Sequence, residues 1–161
     1  MAVVPIRDVG EFLQPGGLGY FNATAGGSGD ATEVDGATFD RGSYGMPESA
    51  LLYIQYITNL TAAKTLAFTV TFQESDDDST WADVTVSDLA SAITVKTGAA
   101  SNSEDFWTCK VNLQNRKRYV RMQVKPDLSN TSTDTAIGNF HILAGPGRDT
   151  GLLDAPDASD E

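Results

Sequence analysis

Apolar and polar positions alternate most strictly over residues 65–73 (TLAFTVTFQ). Leu66, Phe68, Val70 and Phe72 fall on one face, and Thr65, Ala67, Thr69, Thr71 and Gln73 on the other. A period of two in β-branched and aromatic residues predicts a half-buried strand. The acidic stretch 74–80 (ESDDDST) ends it. Clustered carboxylates repel and stay solvated, and Asp and Ser side chains bond nearby backbone amides in turns. Trp81 re-enters the apolar register, and residues 83–86 continue a return strand.

Residues 50–60 (ALLYIQYITNL) carry large side chains on both faces, which predicts a central strand; their Tyr, Ile and Thr density argues against a helix. Residues 61–64 then make a hairpin or a corner between sheets. Alternation returns over 106–113 (FWTCKVNL), with Phe106, Thr108, Lys110 and Asn112 opposite Trp107, Cys109, Val111 and Leu113. Residues 114–117 (QNRK) read as a hairpin turn into 118–125 (RYVRMQVK), whose Val120, Met122 and Val124 point inward. Pro126, having no N–H to donate, is expected to stop that ladder. Shorter strands are predicted over 18–24, 93–97 and 136–144, a brief helical turn over 87–92, and a tight turn at Asp35-Gly36. Eight or nine short strands with turns between them, and no helix beyond ten residues, predict an all-β fold: an antiparallel β-sandwich of jelly-roll type. The Cys-Trp-Cys core of an immunoglobulin domain is missing.

Three parts follow from the pattern. Residues 1–18 form an extended N-terminal arm, 19–146 the sandwich, and 147–161 an acidic, flexible tail. In the arm, Val3, Val4, Ile6, Phe12 and Leu13 are broken up by Pro5, Gly10 and Pro15-Gly16-Gly17, with no sustained period. Such a segment is either a disordered or self-packed terminus or an arm that docks on a neighbouring subunit by adding a strand or filling a groove.

The formal net charge of −11 makes nucleic acid and anionic membranes poor partners. Six of the eleven bases nevertheless crowd into one stretch: Lys110, Arg116, Lys117, Arg118, Arg121 and Lys125. Two uses suggest themselves. Asp40, Arg41, Glu74, Arg118 and Arg121 could pair across strands within one sheet. Alternatively Arg116, Lys117 and Arg118, at a hairpin tip, could meet acidic groups of another subunit, which the planar guanidinium suits.

Catalytic chemistry finds little to work with. Cys109 is the single cysteine and His141 the single histidine, so neither a disulfide nor a zinc site can be assembled from the usual ligands. No nucleophile elbow or glycine-rich phosphate loop is present. Asp76-Asp77-Asp78 lacks the spacing, turn glycine and closing glutamate of an EF-hand. No cofactor is expected, and the chain reads as a non-enzyme.

Three local patterns carry a resemblance: GATFDR at 36–41, QESDDDSTW at 73–81 and RKRYVR at 116–121. Together with the strand order, they make residues 34–146 similar to the head decoration, or cement, proteins of tailed bacteriophages and prophages. The resemblance implies a virion protein made in the host bacterial cytoplasm. It would sit on the outer capsid surface as a homotrimer and clamp adjacent subunits of the major capsid protein. Two other readings stand beside it. One is a phage tail or baseplate component. The other is a carbohydrate-binding sandwich in which Tyr44, Tyr53, Tyr56 and Trp107 stack on sugar rings.

Overall fold

The computed structural model describes residues 13–89, 91–98 and 102–145. Among them ten strands form two antiparallel sheets packed face to face. The four-stranded sheet runs β1 (Gln14–Thr24), β10 (Thr135–Ala144), β4 (Ser49–Asn59), β8 (Asn102–Asn112). The six-stranded sheet is built on β5 (Thr65–Ser75) and β9 (Tyr119–Leu128). Along the far edge of β9 lie the two-residue strands β2 (Val34–Asp35) and β3 (Phe39–Asp40). Along the far edge of β5 lie β6 (Ala82–Val84) and β7 (Ile93–Thr97).

The core is what the alternation demands. Leu66, Phe68, Val70 and Phe72 of β5 are buried, as are Val120, Met122 and Val124 of β9. The other sheet contributes Phe21, Leu52, Ile54, Tyr56, Phe140 and Ile142. Phe68 receives Phe21 and Tyr56 edge-on, each at 5.4 Å between ring centroids, a favoured aromatic geometry. Tyr56 keeps its hydroxyl satisfied by donating to the Val95 carbonyl at 3.1 Å. Burial pushes its pKa up to about 12. Cys109 is buried on β8, and burial raises its pKa too, the setting of an inert thiol.

Apart from β2 to β3 and β5 to β6 to β7, each connection changes sheet. Residues 61–64 are therefore a corner between sheets. So are residues 113–118, where a hairpin was expected: β8 ends in one sheet and β9 begins in the other. Six residues suffice to cross the roughly 10 Å between packed sheets.

Two further expectations change for physical reasons. The first sheet begins at Gln14, which pairs with Ala144, so residues 14–18 join β1 rather than the arm. Pro15, Gly16 and Gly17 hide the strand because they carry no apolar alternation. The ladder is bulged between Gly16 and Gly19, and a Cβ on Gly19 would fall 2.1 Å from Cζ of Phe140. Nor does Pro126 stop β9, which runs on to Leu128 with Pro126 opposite Phe68. The Pro126 carbonyl accepts from Ala31 N–H at 2.8 Å. Within a strand a residue's N–H and C=O point to the same edge, so the missing N–H lies on the side away from β5. The β5–β9 ladder loses nothing.

Candidate docking face

The basic stretch of the sequence folds into the corner between the two sheets. Arg41 lies in a short 3-10 turn after β3 and is almost fully buried. Its five N–H donors all end on backbone carbonyls. Nε and one terminal nitrogen bond Pro47, the same nitrogen bonds Leu113, and the other bonds Arg116 and Lys117. Arg41, expected in an intra-sheet charge pair, instead staples the 113–118 corner to the loop before β4, and burial lowers its pKa.

Arg118 forms a two-pronged pair with Asp40, both contacts at 2.8 Å. That bond, with help from Ser43 and the Gly42 amide, holds the Asp40 carboxyl at about 2. Lys117 meets Asp76 at 2.8 Å, which raises the lysine pKa. Arg116 lies 3.9 Å from Glu74, whose carboxylate also accepts from the Lys117 amide. Arg121 reaches Asp35 at 3.2 Å, bonds Gln73, and lies 4.4 Å over the Trp81 ring. The cations offered to a partner by the sequence reading are thus already opposite carboxylates of their own chain. Of the arm residues named above, Val3, Val4, Ile6 and Phe12 lie outside the described residues, as does the tail 147–161; Leu13 is exposed.

The acidic run divides its work. Asp77 accepts from the Thr80 and Ser79 amides and from Ser75, bonds that pull its pKa well below the carboxylate range and close the turn. Asp76 takes Lys117, and Asp78 accepts from Thr38 Oγ at 2.6 Å. Among the described residues no group of three His, Cys, Asp or Glu side chains is placed to hold a metal ion.

The outward face of the four-stranded sheet is different. Alternation along β1, β10, β4 and β8 points every second residue away from the core, and many of these are apolar. Leu18 is 63% exposed, Tyr20 56%, Ile57 49% and Phe106 61%, with Ile137 among them. The register fixes their neighbours: one row runs Tyr20, Asn139, Gln55, Phe106, and the next Asn22, Ile137, Ile57, Glu104. Phe106, Tyr53 and His141 form a diagonal of stacked rings, 5.9 Å and 5.0 Å between centroids. Burial against this stack lowers the His141 pKa. Two shallow grooves cross the face. One, of about 260 Å³, is lined by Tyr20, Gln55, Ile57, Ile137 and Asn139; the other, of about 290 Å³, by Pro15, Gly16, Leu18 and His141. The opposite outer face, on β5 and β9, is mainly Thr, Gln, Arg and Lys, with Ala67, Tyr119 and Asp127 among them, and is tied by Gln123 to Glu33 and Asp35 and by Gln73 to Asp83.

The sequence reading did not select this face. Its signal is the double-sided apolarity of residues 50–60, which reads equally as burial on both sides. Of the four aromatic residues proposed to stack on sugars, Tyr56 is buried, Trp107 packs against the core and Tyr44 stacks on Phe39 at 5.2 Å. Tyr53 lies between Phe106 and His141.

Comparison with protein-family models, with curated proteins and with solved structures finds no match.

Proposed function

We propose that this chain is a structural virion subunit. It docks the apolar outer face of its four-stranded sheet on the outside of an assembled bacteriophage capsid and bridges adjacent major capsid subunits. The observation that carries the reading is that face: Leu18, Tyr20, Ile57, Phe106 and Ile137 stand in water on a chain of net charge −11. A contiguous apolar patch on one side of a soluble domain marks an interaction surface. The whole face, four strands wide and ten residues long with its polar side chains included, covers on the order of 600 Å², close to the roughly 800 Å² that one partner contributes to a standard interface. The resemblance over residues 34–146 supplies the kind of partner. A subunit that binds the expanded shell and not its precursor stabilises the expanded form by mass action.

Co-sedimentation with expanded tailed-phage shells, assembled from the major capsid protein proposed as the partner of this chain, tests the proposal. Ile57→Glu and Phe106→Glu are expected to lower occupancy by about tenfold or more, since each sets a charge in a desolvated contact. Both positions are exposed, so the melting temperature stays put. The pair Arg116→Ser with Lys117→Ser is expected to bind as wild type. Full occupancy by the two glutamate variants would defeat the proposal.

One observation favours a second reading, a glycan-binding face. Tyr20 stands exposed at the rim of the groove that Gln55 and Asn139 line, an aromatic plate beside two amides. A glycan array probed with wild type and with Tyr20→Ala tests it: a sugar bound by the first and lost by the second would favour this reading.

A further inference from the structure

The strand edges of this sandwich are protected, with one exception. On the six-stranded sheet the outer strands β2, β3 and β6 have two or three residues, and β7 has five with an irregularity in its register. On the four-stranded sheet the β1 edge carries Pro15, a bulge between Gly16 and Gly19, and a bond from Ala37 N–H to the Leu18 carbonyl at 3.0 Å. These are the usual devices against edge-to-edge pairing. β8 has none of these backbone devices, and carries instead the charged side chains Glu104, Asp105 and Lys110. It is eleven residues long, contains no proline, and pairs with β4 in unbroken register from Asn102 to Asn112. Among the described residues nothing pairs with its other side.

We propose that β8 is a self-pairing edge, and that two copies of this chain join β8 to β8 antiparallel about a two-fold axis at Trp107. The argument is charge and register together. The outward residues of β8 include Glu104, Phe106, Thr108 and Lys110. When two such strands overlap over their full length, Asn102 meets Asn112 of the second copy and Trp107 meets Trp107. In that same register Glu104 stands opposite Lys110 of the second copy, twice, and each Phe106 lies beside Thr108 across the axis. Moving the register by two residues either way leaves neither charge opposite its complement. Longer slips set Glu104 against Glu104 or Lys110 against Lys110. Directly opposed like charges are destabilising, whereas opposite ones stabilise a strand pair. Lys110 is exposed and has no ion pair within the described chain. Glu104 is held outward by Gln55 at 2.9 Å.

The product is one continuous eight-stranded sheet whose two apolar outer faces adjoin. This goes beyond the capsid reading and does not rest on it, because the pairing occurs in solution. It also differs from the three-fold assembly that the resemblance implies.

Size-exclusion chromatography with light scattering on the full chain decides the matter. Wild type is expected at twice the chain mass. Glu104→Lys alone and Lys110→Glu alone place like charges opposite one another twice, and each is expected to raise the dissociation constant by about tenfold or more. The double variant carrying both exchanges regains the wild-type dimer. Both positions are exposed, and far-UV circular dichroism overlaid on wild type verifies that each variant is folded. A monomeric or trimeric wild type would overturn the proposal, and so would a dimer indifferent to the single exchanges.

Discussion

Five N–H groups on Arg41 meet four carbonyl oxygens, and removing the guanidinium would strand all four in a buried corner. Bonds from a charged donor are worth more than neutral ones, and an orphaned acceptor costs its desolvation. Arg41→Met is therefore expected to lose about 3 kcal/mol or more in urea unfolding. Arg41→Lys should recover only part, since an ammonium has three donors and no planar fork. A loss below about 1 kcal/mol would show that the corner holds itself. The sequence displays the charge of Arg41 but not its partners, because backbone carbonyls have no signature in a sequence. The nearby pairs were more legible. Arg118 with Asp40 joins two residues already grouped by their charge, and Arg121 reaches Asp35 from the same basic stretch. Exposed pairs of this kind contribute at most about 1 kcal/mol each. Their consequence is that the cations are occupied.

Strands 65–75 and 119–128 are legible because each has one apolar face whose residues are buried; Ser75 and Gln123 are buried as well, outside that alternation. β1 is less so, since Gly16, Gly17 and Gly19 erase the pattern where the strand passes Phe39, Ile142 and Phe140 in turn. β9 passes through Pro126 because the ring sits at a position whose N–H would face away from β5. That placement has a measurable corollary. Pro126→Val is expected to change stability by less than about 1 kcal/mol. Lys125→Pro, one residue earlier and facing β5, removes a ladder bond and is expected to cost about 1–3 kcal/mol for the carbonyl left without its donor. Equal costs in denaturant titrations would refute the assigned orientation. β4 holds the most informative ambiguity: large residues on both faces predict cover on both sides, and among the described residues only one side has it. The uncovered side is what the docking proposal is built on.

Among the described residues the two outer faces differ: that of the six-stranded sheet is mainly polar, and that of the four-stranded sheet sets large apolar side chains among polar ones. One sheet shows the solvent Thr, Gln and paired charges; the other shows Leu18, Tyr20, Ile57, Phe106 and Ile137. Net charge and the basic cluster drew attention to the corner at 113–118, while the face that stays unsatisfied is built from four strands far apart in sequence. No local pattern could assemble it. A β8-to-β8 pair would about double that face without adding a residue. Hydroxyl-radical footprinting of the free and shell-bound chain tests the docking face most directly, because it reads single side chains. Tyr20 and Phe106 are expected to lose reactivity several-fold on the shell, while Tyr44 and Met46, exposed at the corner, keep theirs. Protection of Tyr44 and Met46 with Tyr20 and Phe106 unchanged would contradict the account.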